Sequence, residues 1–214
     1  MTYLELVNGV LRRLREDEAS TVAETSYTKL IGELVNDAKQ YVENSWDWTA
    51  LRSSVDLTTV AGTGLYSLTG VKYRSEILEG LNNTLKMPLR NESIHEIRRK
   101  NLNEVAQGDV TSYAIDGADS NNDMQIRLYP VPDSVDSLTF YCVERTGDFV
   151  DDSDTTKLPA NVIIQFAYAY ALVERGETGG QSGAEQAIFA KAALADAITL
   201  DARKHEDELI WDYV

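Results

Sequence analysis

Between residues 2 and 16 the apolar side chains Tyr3, Leu4, Leu6, Val7, Val10, Leu11 and Leu14 recur at three- and four-residue spacing, which predicts a helix with one apolar face. Thr2 followed by Glu5 predicts a capping box at its start. After the polar break "REDEASTVAET", the stretch "SYTKLIGELVNDAKQYVENSW" repeats the pattern with Tyr27, Leu30, Ile31, Leu34, Val35, Ala38, Tyr41, Val42 and Trp46. Two amphipathic helices cannot bury both stripes alone, so further helices are expected.

From about residue 50 the period changes to two. "SVDLTTV" alternates, "AGTG" reads as a turn and "LYSL" resumes the alternation, a hairpin signal. "EILEG" and "TLKMPL" flank Asn82 and Asn83 and predict a second hairpin. A short helix then interrupts at "NESIHEIRRKNLNEV", with Ser93 and Glu96 as a second capping box. "TSYAI", "MQIRLYPV" and "SLTFYCVE" follow as three strands separated by turn-rich "DGADSNND" and "PDSVD".

Past the acidic stretch "GDFVDDSDTTK", read as a linker, helical patterning returns. "LPANVIIQFAYAYALVERGE" carries Pro159 in its first turn, where a missing N–H does no harm. "TGGQSG" is a loop, and "AEQAIFAKAALADAITLDARKHEDE" is an alanine-rich helix with Ala187, Ile188, Leu194, Ala195, Ile198 and Ala202 assigned to one face. The expectation is therefore an α+β protein. Residues 1–49 and 158–208 form a four-helix bundle, residues 50–157 form an inserted antiparallel β domain of six or seven strands plus one short helix, and residues 209–214 form a C-terminal tail.

Charge narrows the function classes. The formal net charge is −15, and it is spread along the chain: −4 over residues 1–49, −6 over 50–158 and −5 over 159–214. Gripping nucleic acid requires Lys and Arg to neutralise phosphates, so a chain acidic throughout argues against that role. With 43% hydrophobic residues among 214, the chain has the means to bury a core. "MTYLELVNGVLRRLRE" has charges throughout and no apolar segment of signal-peptide type, and no apolar run approaches membrane-spanning length, so a cytosolic, soluble chain without membrane contact is expected. Cys142 is the single cysteine, which excludes an intrachain disulfide.

Candidate chemistry is sparse. His95 and His205 lie on separate helices without metal-ligand spacing, and Cys142 sits in a strand between Tyr141 and Val143. "AGTGLYSL" lacks the dinucleotide-binding spacing, "GETGGQSG" has no lysine to complete a phosphate loop, and "DFVDDSDT" lacks the glycine and terminal glutamate of a calcium loop. No catalytic residue, metal or cofactor is assigned. Two aromatic features are more informative. Trp46 and Trp48 in "SWDWTALRSS" fall where helix gives way to strand and read as structural rings at that junction. The ending "LIWDYV" places Leu209, Ile210, Trp211, Tyr213 and Val214 behind a charged "RKHEDE", and such a tail needs either its own core or another chain to cover it.

The order of parts resembles the head-to-tail adaptor proteins of tailed bacteriophages, the group that includes the tail tubular A proteins of short-tailed phages. The likeness rests on the opening "YLELVNGVLRRLRE", the "VENSWDWTALR" junction, the β-rich insertion and the "LPANVIIQFAYAYALVERGE" helix, and it covers nearly the whole chain. It implies a non-enzymatic virion protein of the neck, made in the host cytoplasm. Such subunits form a ring, commonly of twelve copies, beneath the portal protein. The ring extends the channel through which duplex DNA passes without specific binding, and it carries the next tail component. On that reading residues 209–214 dock on the portal. A monomeric protein-binding module that uses its β loops is the alternative.

Overall fold

The computed structural model describes residues 1–102, 105–176 and 183–205. Among these the chain is α+β, with five α-helices and a seven-stranded sheet. It divides into two units, Met1–Ala50 with Asp148–Val214, and Leu51–Gly147.

The first unit is helical. α1 (Tyr3–Arg13) starts on the expected capping box, with the Glu5 amide donating to Thr2 Oγ1 and the Thr2 amide to Glu5 Oε2. α2 (Ser26–Asn44) is capped by Thr25 and Thr28 in the same reciprocal way. It ends two residues before Trp46, so that ring is not part of the helical stripe. The helix numbered α4 (Ala160–Arg175) is apolar on nearly every side and closes on Gly176 in the left-handed region, φ 62°. It packs against α1, α2 and α5 (Gly183–Ala202), and α1 also packs on α2. The one-face assignment for α5 does not hold. Gly183, Gln186, Ala190, Leu194 and Asp201 are buried, whereas Ile188 is 67% exposed and Ala195 is exposed. In α5 alanines, larger apolar residues and charges are spread over every side, so no period marks out a buried face.

Residues 148–157 are packed structure rather than linker. The Tyr3 amide donates to the Asp154 carbonyl (2.7 Å), and the Asn36 side chain brackets Phe149, accepting from its amide (2.9 Å) and donating to its carbonyl (3.2 Å). The Phe149 ring meets Tyr3 at 5.3 Å between centroids and lies under the Lys39 ammonium, 4.8 Å from its centroid. Aspartates that read as a solvated run instead accept backbone N–H groups, Asp154 from the nearby Val150 and Asp151 amides and Asp152 from the Val22 amide ahead of α2.

The second unit holds β1 (Arg52–Thr58), β2 (Leu65–Lys72), β3 (Glu76–Asn82), β4 (Met87–Asn91), β5 (Ser112–Ala118), β6 (Asp123–Tyr129) and β7 (Ser137–Val143), with α3 (Ile94–Lys100) between β4 and β5. The strand order is β1-β7-β3-β4-β5-β6-β2, and the two end strands approach each other, so the sheet is nearly closed. Two expectations are corrected here. β1 and β2 do not form a hairpin, since β1 pairs with β7 and β2 with β6. The sheet is also not wholly antiparallel, because β4 and β5 run parallel, as a crossover through α3 permits. The β3–β4 hairpin forms as expected around Asn82, whose buried side chain accepts from the Thr84 and Leu85 amides and donates to the Val110 carbonyl. Ser93 precedes α3 but makes no side-chain cap.

The sheet closes over Leu68, Val71, Val110, Met124, Ile126, Leu138 and Phe140, with Tyr113 set edge-on to Phe140 at 5.3 Å. Gly80 lets these rings in. A Cβ there would sit 2.9 Å from Phe140 Cε1 and 3.3 Å from Tyr113 Cε1. Gly80→Ala should therefore destabilise the protein by about 1–3 kcal/mol through overpacking, measured as a lower urea midpoint at unchanged slope.

Candidate functional site

The residues singled out by sequence fall into two groups. Leu209, Ile210, Trp211, Tyr213 and Val214 lie outside the described residues. Trp46 and Trp48 lie inside, and they differ. Trp48 is 1% exposed and donates its indole N–H to the Val42 carbonyl at the end of α2 (2.8 Å). Trp46 is only half-buried, and its N–H donates to Asp201 Oδ2 (3.2 Å).

Asp201, on the last turn of α5, is the centre that sequence reasoning missed. Its carboxylate also accepts from the Thr49 amide (2.9 Å), the Thr49 hydroxyl (2.6 Å) and the Lys204 ammonium (3.2 Å). His205 stands 3.7 Å away and meets the Trp46 ring edge-on at 5.4 Å. Burial alone would raise the Asp201 pKa, but the Thr49 hydroxyl and amide and the Lys204 charge outweigh it and hold the group down to about 2. One carboxylate thus pins the end of α5 to the segment that follows α2. A signal was present: Asp201 stands seven residues after Leu194, on the same helical face, where a bare charge demands partners.

The other titratable candidates are not brought together. Cys142 is buried, hydrogen-bonds with Ser53 Oγ at 3.2 Å, and has no imidazole within hydrogen-bond reach among the described residues. Burial pushes its thiol pKa up, which opposes the thiolate a nucleophile requires. His95 is exposed on α3. The basic cluster Arg98, Arg99 and Lys100 is engaged in ion pairs, with Arg98 to Asp116 (2.5 Å), Arg99 to Glu96 (3.6 Å) and Lys100 to Glu92 (2.6 Å). Asp116 also holds Arg127, at 2.7 Å. Among the described residues no group of three or more His, Cys, Asp or Glu side chains is placed to hold a metal ion, and no helix is long and apolar enough to cross a membrane.

What the geometry defines is an α+β chain whose polar centres fasten elements together. The chain belongs to the SU10 adaptor protein family, a phage adaptor family, whose sequence model matches residues 1–209. A search of curated proteins gives no match.

Asp201 supplies a test. Its pKa is lower folded than unfolded, so its contribution is fully present above about pH 4, and it is lost as the pH falls towards 2. Asp201→Asn should cost about 2 kcal/mol at neutral pH, and the gap to the unsubstituted protein should narrow in urea titrations run at progressively lower pH down to about 2.

Proposed function

We propose that this protein is a head-to-tail adaptor of the virion neck, a ring subunit that binds beneath the portal, extends the DNA channel and presents a platform to the next tail component. The observation that carries the reading is the family match over residues 1–209. The four long helices act as one bundle in this proposal, and side-by-side contacts between bundles close a dodecameric ring by rotation, a heterologous contact. The role is structural rather than enzymatic.

The charge supports this role. A subunit of formal charge −15 with no basic segment repels phosphate, and a channel lined by such subunits lets duplex DNA slide without sticking. The loops of the β unit are the surface offered to the downstream tail protein, since loops on a rigid sheet are where partner-specific contacts are built.

In this reading Leu209, Ile210, Trp211, Tyr213 and Val214 dock on the portal. Burying three such side chains supplies on the order of 5–9 kcal/mol per subunit before ordering costs. Truncation after Glu208 is the experiment. The shortened chain should keep its helix and strand content by circular dichroism but fail to join portal rings in sedimentation, with the defect compounded because every copy loses its contact at once. Undiminished co-sedimentation with portal overturns the docking role.

A further inference from the structure

The helical unit contains an open groove of about 620 Å³ between α1, α4 and α5. Arg13 stands on one wall, Tyr168 on the floor, and Phe189, Ala192, Ala193 and Asp196 along the α5 side. Phe189 is 53% exposed there. Arg13 donates to the Gly9 carbonyl (3.1 Å) and to Asn161 Oδ1 (3.5 Å), and among the described residues it pairs with no carboxylate. An aromatic and alanine surface beside a guanidinium that lacks an anionic partner is suited to an apolar segment that carries one acid.

The chain itself holds such a segment, and it starts close by. Nine residues follow His205, and they include "LIWDYV", four large apolar side chains and a valine around Asp212. A helix rises ~1.5 Å per residue, so Phe189 lies roughly 20 Å back along α5 from Ala202. Extended chain covers ~3.4 Å per residue, so Trp211 reaches roughly 20 Å from His205 and Val214 roughly 30 Å. The reach therefore spans the groove. A segment tethered to its own groove also meets it at a high effective concentration that a separate molecule does not have.

We propose that in the unassembled subunit the segment 209–214 folds back along α5 and occupies this groove of its own chain, with Trp211 against Phe189 and Tyr168 and with the Asp212 carboxylate paired to Arg13. The groove shelters the apolar segment until a partner takes it over. The proposal rests on the docking reading above only for that later exchange, and its test needs no portal. Gln186 also lines the groove, one turn before Phe189 on the side that Val214 would reach, so Gln186→Cys combined with Val214→Cys leaves the aromatic residues and Asp212 in place, and Cys142 is buried away from oxidant. In the purified chain an intrachain disulfide should form about tenfold or more faster than for Val214→Cys paired with Glu33→Cys on the exposed side of α2. Adding Phe189→Glu or Arg13→Glu should return the rate to that of the control pair, with circular dichroism unchanged. As a second reading, Ala193→Cys should react with a maleimide several-fold faster after truncation at Glu208 than in the full chain. A disulfide that forms between chains, a rate no higher than the control, or equal maleimide reactivity in the two lengths overturns the proposal.

Discussion

The helical unit depends on the covering of one helix. α4 presents Val162, Ile163, Phe166, Ala167, Ala169, Ala171 and Leu172 as buried residues, and they do not fall on a single stripe. No single partner helix buries such a surface, because a helix pair hides only one face of each member. Three partners are therefore needed, and the chain supplies α1 and α2 from before the β segment and α5 from after α4. That need explains why the β strands occur as an insertion in the sequence: both ends of the chain have to return to the same helix.

Close approach and polar fastening then set the details. Gly9 lets α1 lie near α4, since a Cβ there would stand 2.8 Å from Ile164 Cδ1. Within α2, Lys39 and Glu43 form a 3.0 Å ion pair at 2% and 1% exposure. Burial of such a pair costs much of what its attraction gains, and Phe149, held by Asn36, lies across Lys39. The segment 148–157 is thereby tied to α2 by side-chain hydrogen bonds and an aromatic–cation contact, where its composition suggests only solvation. Asp201 acts in the same manner at the far end of α5, and Asp116 does so in the β unit between Arg98 and Arg127. In a chain with 35 acidic and 20 basic residues, carboxylates placed this way become acceptors for backbone and side-chain donors rather than sources of repulsion.

Element type was legible wherever one face is apolar and the other polar. α1 and its capping box, α2, the alternating strands and the Asn82 turn could all be read from periods of 3.6 and 2, because those periods are fixed by backbone geometry and the pattern is local. The site was only partly legible. Trp46 and Trp48 stood out by size at the helix-to-strand change, yet the sequence did not distinguish the buried ring from the half-exposed one, and Asp201 drew no notice because Trp46 and Thr49, which it joins to α5, lie more than 150 residues away.

The sequence alone thus determined the helix and strand segments, the acidic character and the adaptor family, all of which follow from local pattern or from features that extend along the whole chain. Tertiary structure decided the rest: which strands pair across the nearly closed sheet, which side of α5 is buried, and which charges find partners. β1 pairs with β7 instead of β2 because alternation specifies that a strand has two faces and leaves its neighbour open. The buried side of α5 was likewise set by the α4 surface that receives it, since a helix with no clear apolar stripe fits in several rotations and only the partner's shape and the Asp201 anchor select one.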